Sequence, residues 1–378
     1  MSKIIVLGGG MVGSAMAIDL AKKHEVLLTD INLKVLQDIN VKEPRIAIKQ
    51  LDVTEDKHFK EALKDFDLVL SAVPGFLGYK TLKRIIELQK NVVDISFFPE
   101  NALDLNELAK ENNVTAIVDC GVAPGMDNVI LGYHDQTHKL TSFECLVGGL
   151  PKEKKWPFCY KAPFSPVDVI EEYTRPARYV ENGHLVTRPP LTDCEYVNFD
   201  KVGTLESFNS DGLRSIIYTM PHIKNRKEKT LRYPGHVEYI RVLKESGFFN
   251  NDKIKGMDCS ALEFTSKILF KEWKLEPNEQ ELTVMRITLE GVNKNGEKEK
   301  IIYDLHDEFC EKTKTSSMAR TTGYTATAAV NMFLDGLFKE NGVFPPELIG
   351  KYPDCYNYFM AYLKERNINY TQRIESLD

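Results

Sequence analysis

Short apolar runs and amphipathic stretches alternate along the first 120 residues of the protein. Six runs have the length and composition of β-strands, and stretches between them repeat apolar residues at helical spacing. This alternation predicts βαβ units, a parallel sheet and right-handed crossovers. The predicted strands are 3–7, 25–29, 46–50, 68–71, 92–94 and 115–118, and the predicted helices include 32–39, 57–63, 78–88 and 104–111.

A glycine-rich turn follows the first predicted strand and opens the first helix. It reads Gly8-Gly9-Gly10-Met11-Val12-Gly13, which fits the pattern G-x-G-x-x-G. Gly8 permits a tight turn, Gly10 lets a pyrophosphate approach the backbone, and Gly13 lets the helix lie close to the sheet. The phosphates would rest on the helix N-terminus. We therefore expect Gly8, Gly10, Met11, Val12 and Gly13 to bind a dinucleotide.

Asp30 ends the second predicted strand, about 20 positions after Gly10, where a carboxylate holds a ribose 2′-hydroxyl. A negative charge there would repel the 2′-phosphate of NADP. No Arg or Lys follows Asp30 until Lys34. The sequence therefore favours NAD as the cofactor and leaves NADP as the alternative.

Other candidate residues lie at the carboxyl ends of the predicted strands, where parallel sheets bind their ligands. Asp52 and Val53 follow the third strand and would border the adenine. Asp94 ends the fifth strand, near the expected nicotinamide. For Asp52 and Asp94, a capping or turn role is an equal alternative. At the fourth strand the candidates beside ribose and nicotinamide are Ser71, Ala72, Val73 and Pro74.

The pattern changes after residue 126. Residues 143–147 read as a strand, and 282–292 and 298–305 alternate about a turn at 293–296, which predicts a hairpin. Helical spacing returns at Ser317. The sequence thus predicts an α/β protein with a Rossmann-type parallel-sheet domain at 1–125 plus 318–378. An inserted α+β substrate domain would occupy 126–317.

Composition limits the classes of function. With 378 residues, 43% hydrophobic and 28% charged, the protein suits two globular domains. A net charge of −6 gives no reason to expect nucleic acid as a partner, and we predict none. The basic stretch 224–232 contains Glu228, and we expect it to be a solvated loop.

Two further expectations concern location and metal. The uncharged run 321–334 is too short and too polar to span a bilayer, so no membrane association is predicted. The seven cysteines form no C-x-x-C pair and no zinc spacing with His. Reduced thiols, a cytoplasmic location and no metal site are therefore expected.

Several blocks together resemble the saccharopine dehydrogenase family over nearly the whole sequence. This resemblance implies NAD- or NADP-dependent oxidation of a C–N bond at the side-chain nitrogen of lysine or its adducts. It also implies a homodimer that associates through the inserted domain. The blocks are the glycine turn, Asp119-Cys120-Gly121 with Pro124-Gly125, Gly148-Gly149-Leu150-Pro151, Ser165-Pro166-Val167, Leu205-Glu206-Ser207-Phe208, Thr230-Leu231-Arg232-Tyr233-Pro234-Gly235-His236 and Ser317-Met318-Ala319-Arg320-Thr321-Thr322-Gly323.

The protein departs from saccharopine-cleaving members of that family at three positions. Ala123 stands where they commonly have Asp, and Val147 stands where they commonly have Cys. An Arg expected to grip the glutamate portion of saccharopine falls near Asp211. The segments 121–125 and 209–213 are more similar to lysine 6-dehydrogenase-type members, which favours a free amino acid as substrate.

If lysine is the substrate, its ε-ammonium must lose a proton before hydride can leave, because its unperturbed pKa is about 10.4. Asp94 and His236 are the candidate catalytic bases, although a structural imidazole is equally compatible with His236. Arg232 and Arg214 could hold the α-carboxylate by paired N–H donors, or each could form an ordinary ion pair. Asp211 could bind the α-ammonium, or mark a turn with Gly212.

Three functions remain open from the sequence. The first is an NAD(P)-dependent lysine dehydrogenase acting on the C–N bond at the ε-nitrogen. The second is an L-glutamate-forming saccharopine dehydrogenase, and the third is a dinucleotide-binding protein without catalysis. Each would bind a dinucleotide at the glycine turn.

Overall fold

A computed structural model, which describes residues 1–276 and 279–377, shows a parallel sheet in the amino-terminal part of the protein. Its strands alternate with helices, which confirms the predicted α/β class, and adjacent strands pair in parallel. The strands are β1 Lys3–Leu7, β2 Glu25–Asp30, β3 Ala47–Gln50, β4 Leu68–Ser71, β5 Asn91–Asp94 and β6 Thr115–Ile117, and the helices are α1 Met11–Leu20, α2 Leu33–Lys42, α3 Asp56–Leu63, α4 Gly75–Glu87 and α5 Asn106–Glu111.

The middle of the sequence builds a second, mixed sheet. Its strands are β7 His138–Pro151, β8 Ala177–Glu181, β9 His184–Arg188, β10 Glu195–Phe199, β11 Gly203–Asn209, β12 Asn225–Arg232, β13 Glu281–Asn293 and β14 Lys298–Glu308; its helices are α6 Met126–Asp135, α7 Pro166–Thr174, α8 Ile216–Thr219, α9 His236–Glu245 and α10 Ala261–Glu272. β7 lies between β12, which is parallel to it, and β13, which is antiparallel. β13 and β14 form the predicted hairpin.

The carboxy-terminal tail contributes a strand to each sheet. After α11 (Ser317–Leu334), β15 (Gly342–Phe344) pairs in parallel with β6. Helices α12 (Pro346–Gly350) and α13 (Pro353–Glu365) follow, and β16 (Tyr370–Ser376) then pairs with β14. The backbone therefore passes from one sheet to the other three times: before β7, before β15 and before β16.

The domain division at 1–125 plus 318–378 and 126–317 stays a prediction. The first sheet has the order β15-β6-β5-β4-β1-β2-β3, so the tail supplies its edge strand, whereas β16 extends the second sheet. Residue 378 lies outside the described residues.

The stretch 224–232 corrects one prediction. It forms β12, a strand inside the second sheet, and is not a solvated loop. Its buried cations find partners in distant segments: Arg226 donates to the carbonyl oxygens of Ile216 and Met220 at 2.7 and 2.6 Å, and Lys229 Nζ donates to the Asp193 carbonyl at 2.7 Å. A charged composition indicates exposure only where such partners are lacking.

A buried ionic network fastens the tail to α1. The Asp19 carboxylate accepts hydrogen bonds from Arg366 Nε at 2.9–3.0 Å, from the Tyr362 hydroxyl at 2.7 Å and from Thr327 Oγ1 at 2.8 Å. Burial raises the pKa of Asp19, but attraction to Arg366 and its hydrogen bond outweigh this and hold the pKa below its usual value. The network therefore favours an ionised Asp19 in the folded protein.

Helix α11 lies at the centre of the molecule. It packs against α1, α13 and β13, and most of its residues are buried. Its buried Arg320 pairs with Asp307 at 3.1 Å. Within the described part of the protein, no helix combines the length and the apolar character that crossing a membrane requires.

Candidate active site

A cavity of about 520 Å³ opens between the two sheets. One wall comes from the loops that follow β1, β4, β5 and β6, at the carboxyl ends of the parallel strands. The opposite wall comes from β7, β12 and segment 210–212, and helices α7 and α11 close the sides. The cavity thus lies at the edge of the sheet where α/β proteins bind their ligands.

The glycine turn forms one end of this cavity. Gly8 has φ +101° and lies against the Ala72 carbonyl, which a Cβ would approach to 2.5 Å; a Cβ on Gly13 would lie 2.0 Å from the Gly8 carbonyl oxygen. A Cβ on Gly10 would meet nothing within 4 Å. Gly10 caps α1 without a side-chain hydrogen bond, so the first N–H groups of the helix are free for an anion. This cradle fits the pyrophosphate of a dinucleotide, which would supply the hydride acceptor.

Asp30 stands beside the turn, as its spacing predicts. Its Oδ2 accepts a hydrogen bond from the Gly9 N–H at 2.7 Å, and its Oδ1 accepts one from the Asn32 N–H at 2.8 Å. Both bonds hold the carboxylate at the cavity wall. The other predicted cofactor-binding residues that line the cavity are Gly8, Gly10, Met11, Val12, Gly13, Ala72, Val73 and Pro74.

Three other predicted cofactor-binding residues stand back from the cavity wall. Asp52 accepts hydrogen bonds from Thr54, Val53 packs against the core, and Ser71 is fully buried. Their contact with a cofactor stays a prediction.

Replacing Asp30 by Asn should shift the cofactor preference toward NADP. The change keeps the shape and an oxygen acceptor but removes the charge that would repel a 2′-phosphate, an effect on the order of 1–2 kcal/mol. We expect the ratio of the NAD to the NADP dissociation constant to rise about tenfold, as measured by isothermal calorimetry. Asp38→Asn is the matched control, since Asp38 is exposed on α2 and does not line the cavity, and it should leave the ratio unchanged. An unchanged ratio in Asp30→Asn would place the ribose elsewhere.

The two predicted bases, Asp94 and His236, lie inside the protein. Asp94 accepts hydrogen bonds from the Ser96 N–H and hydroxyl at 2.9 and 3.1 Å, and burial raises its pKa to about 7. His236 lies between the Tyr173 hydroxyl and the Phe158 carbonyl, both at 2.9 Å. Burial and the nearby Arg232 lower its pKa to about 3. Neither side chain lines the cavity, although Ser96 does, so their role as bases stays a prediction.

The predicted substrate-binding residues differ in position. Arg232 and Asp211 line the cavity, whereas Arg214 does not. Arg214 is buried against Asp119 at 2.8 Å. Asp211 accepts a bidentate pair from Arg178 at 3.0 and 2.8 Å. Contact of these residues with a substrate stays a prediction.

Sequence reasoning missed several acids that reach the cavity. Asp168 and Glu172 come from α7, and Glu228 comes from β12. No local motif marks them, because their approach to the cavity depends on how α7 and β12 pack. We call the following set the polar wall: Asp119, Asp168, Glu172, residues 210–212, Glu228, Thr230 and Arg232.

The polar wall is strongly acidic. Among its described residues it has five carboxylates and one cation, Arg232. Arg232 Nη2 is 2.7 Å from Glu172, and four of its five N–H groups already donate, to Glu172, to Tyr160 and Tyr173 and to the Leu231 carbonyl. The polar wall therefore has more groups that can bind a cationic ligand than groups that can bind an anionic one.

A nucleotide cradle on a parallel sheet, facing a polar wall across a closed cavity, defines a dinucleotide-dependent oxidoreductase. Family models agree with this assignment: residues 4–117 match "Saccharopine dehydrogenase NADP binding domain", and residues 121–368 match "Saccharopine dehydrogenase C-terminal domain". The protein belongs to the saccharopine dehydrogenase family. It is an NAD(P)-dependent oxidoreductase, as its sequence predicts.

Individual relatives cover most of the sequence at low identity. A saccharopine dehydrogenase [NADP(+), L-glutamate-forming] of Pyricularia oryzae is 24% identical over 370 residues, which is 78% of this protein and 82% of the relative. The enzyme of the same name from Saccharomyces cerevisiae is 23% identical over 97% of this protein and 99% of the relative. The structure of apo histidine-tagged saccharopine dehydrogenase (L-Glu forming) from S. cerevisiae has a TM-score of 0.82 at 21% identity, covering 99% of this protein and 100% of that one, and so supports the fold.

Proposed function

We propose that the protein oxidises the side-chain amine of L-lysine, or of a closely similar diamino acid, with NAD as the hydride acceptor. The observation that carries this proposal is the acidity of the polar wall. Three of its five carboxylates are paired with arginines: Asp119 with Arg214, Glu172 with Arg232, and Asp211 with Arg178. Among the described residues, Asp168 and Glu228 form no ion pair.

The balance of charges favours lysine over saccharopine. Lysine brings two ammonium groups and one carboxylate, which suit two unpaired acids and the one N–H group that Arg232 has left. Saccharopine brings three carboxylates, and two of them would face acids without a free cation nearby. Placing unpaired like charges in a closed cavity costs several kcal/mol.

The reaction requires a neutral amine next to the hydride acceptor. The dinucleotide would take a hydride from the ε-carbon, and water would then convert the imine to an aldehyde and ammonia. The protein must therefore remove a proton from the ammonium and exclude bulk water from the cavity. Helices α7 and α11 flank the cavity and reduce its contact with bulk water.

A second candidate is the L-glutamate-forming cleavage of saccharopine, which the names of the relatives support. A dinucleotide-binding protein without catalysis is the third. It would show a thermal shift with NAD but no turnover. The homodimer and the cytoplasmic location remain part of the proposal, and light scattering would measure the former as twice the protomer mass of 43.1 kDa.

Assays with purified protein separate these candidates. Lysine plus NAD should produce NADH absorbance, and saccharopine with NAD or NADP should produce at least tenfold less. The rate with lysine should rise steeply from about pH 7 to pH 10, because the fraction of neutral amine rises. Turnover of saccharopine alone would overturn the proposal, and a flat pH profile would show that deprotonation is not limiting.

A further inference from the structure

Glu228 is a buried residue in the cavity lining, and one of its carboxylate oxygens has no hydrogen-bond partner among the described residues. It lies on β12, its side chain is 3% exposed, and its Oε2 has no partner among the described residues. Space for its carboxylate exists because residue 212 is glycine: a Cβ there would lie 2.1 Å from Glu228 Oε1. A buried carboxylate oxygen without a partner costs free energy, so a donor from a ligand or a proton shared with a neighbouring acid would stabilise it.

Asp127 lies behind Glu228 at the start of α6. Its Oδ1 accepts a hydrogen bond from the Gly125 N–H at 2.8 Å, and the Cys145 thiol lies beside its carboxylate as a weak donor. Donor atoms of Asp127, Cys145 and Glu228 all lie within 4.8 Å of one another, and all three residues are buried. Gly125 follows the loop 121–124, which lines the cavity, so Asp127 lies next to that part of the cavity wall without belonging to the lining.

We propose that Glu228 binds the reacting ammonium group and accepts its proton, and that Asp127 acts as a positioning residue that shares this proton. The inference rests on the proposed oxidation of a side-chain amine and assigns the base for it. Asp94 reaches the cavity only through Ser96, whereas Glu228 lines it directly.

The other end of β12 gives the substrate its orientation. Glu228, Thr230 and Arg232 line the cavity, while the alternate residues Lys229 and Leu231 do not, so one face of the strand forms the floor. The Cα atoms of Glu228 and Arg232 are separated by about 13 Å along an extended strand. This floor carries an anion binder at one end and a cation binder at the other, and it matches a substrate whose α-carboxylate and reacting amine lie at opposite ends.

Burial brings the pKa of the Glu228 carboxyl and the pKa of the substrate ammonium closer to each other. Burial raises the pKa of the Glu228 carboxyl well above its usual value, and repulsion from Asp127, Glu172, Asp211 and Asp119 raises it further. Burial lowers the pKa of an ammonium group. Two other described groups lie near Glu228 and Asp127, namely the Cys145 thiol and the Tyr370 hydroxyl. The Tyr370 hydroxyl has no hydrogen-bond partner among the described residues. Transfer from the ammonium to Glu228 is thus much less unfavourable than in water.

Atoms and electrons balance in the proposed step. The ammonium gives one proton to Glu228, which becomes a carboxylic acid. The adjacent carbon could then give a hydride to a bound oxidised dinucleotide, and its C–N bond would become a double bond. Water adds to that carbon, ammonium leaves, and the aldehyde forms. Glu228 finally releases its proton to solvent through the cavity that it lines, so each turnover consumes one water and releases one proton.

The test is Glu228→Gln in the full-length enzyme, compared with the wild type at a series of pH values. We expect kcat for lysine to fall about 10²- to 10³-fold near pH 7.5, while the thermal shift on adding NAD stays the same. The deficit should shrink as the pH approaches 10, because the amine then enters already neutral. A deficit that does not change with pH would indicate a structural role and overturn the proposal.

Two further variants sharpen the test. Asp127→Asn keeps an oxygen acceptor for Gly125 but removes the repulsion that raises the pKa of Glu228. The alkaline rise in activity should therefore move to lower pH. Glu206→Gln is the matched control, since Glu206 lies on the neighbouring strand β11 away from the cavity, bonded to the Gly235 N–H. It should keep wild-type activity.

Two outcomes separate this inference from its alternatives. If the wild type does not oxidise lysine, the proposed function fails. If the wild type is active and Glu228→Gln is equally active, only the assignment of the base fails. The same cluster has the spacing of a cation site. Loss of activity with a chelator and its recovery with a divalent metal would make Glu228 a ligand and overturn its role as a free base.

Discussion

Asp19→Ala should lower the free energy of unfolding by about 3–5 kcal/mol, because it leaves the largely buried Arg366, among the residues that the structure describes, with only a longer ion pair of 3.8 Å to the exposed Glu365. Arg366 is only 14% exposed and the Asp19 side chain is fully buried, so solvent cannot replace the lost charge. The variant also removes an acceptor from Tyr362 and Thr327. Urea denaturation followed by circular dichroism would measure the loss.

The effect should depend on pH with a definite sign. The pKa of Asp19 is lower in the folded protein than in the unfolded state, so its contribution is present above the unfolded pKa of about 3.9. It is lost as the pH falls through the folded pKa. The difference between wild type and Asp19→Ala should therefore shrink below about pH 4. Lys22→Ala is the matched control, since Lys22 is 55% exposed, and should cost less than about 1 kcal/mol. Equal losses in the two variants would contradict the importance of the buried network.

Gly13→Val should abolish measurable NAD binding, with at least a hundredfold rise in the dissociation constant. Any Cβ at this position would lie 2.0 Å from the Gly8 carbonyl oxygen, so the turn must move outward. That movement displaces the N–H groups that would hold the pyrophosphate. The overpacking should also lower the melting temperature by several degrees. Isothermal calorimetry and a thermal scan would measure the two effects.

Gly10→Ala provides the comparison. Its Cβ meets nothing within 4 Å, so the melting temperature should stay within about one degree of the wild type. NAD binding should nevertheless weaken, since the new methyl group would stand where the backbone approaches the pyrophosphate. Wild-type NAD affinity in both variants would refute the glycine turn as the cofactor site.

The first sheet can be predicted from sequence because its signals are local. Apolar runs, turns and the G-x-G-x-x-G spacing each lie within a few residues, and predicted strand bounds match β1–β6 to within one residue. β15 escapes prediction, since a three-residue strand late in the sequence has almost no periodic signal. The prediction for β12 is wrong because its charges find their partners outside the stretch itself, Arg226 at the preceding helix α8 and Lys229 at Asp193.

The same contrast between local signals and contacts made only in the folded protein applies to the residues of the candidate site. Asp30 and the glycines can be found because one motif contains them. Glu228 and Asp168 cannot, since a carboxylate on a strand or helix shows no sign in sequence of which cavity it will face. Asp94 is a mixed case. Its position at the end of β5 can be predicted from the sequence, whereas its burial beneath Ser96 depends on how the folded protein packs.

The repeated passage of the backbone between the sheets has a consequence for dissection of the molecule. A fragment ending near residue 125 would lack β15 and would expose β6 as an unpaired edge, a surface prone to aggregation. A fragment of the middle region alone would lack β16 and leave β14 uncovered. Each fragment would thus expose an unpaired strand edge, and we expect exchange of the two regions with those of relatives to succeed only together with the tail.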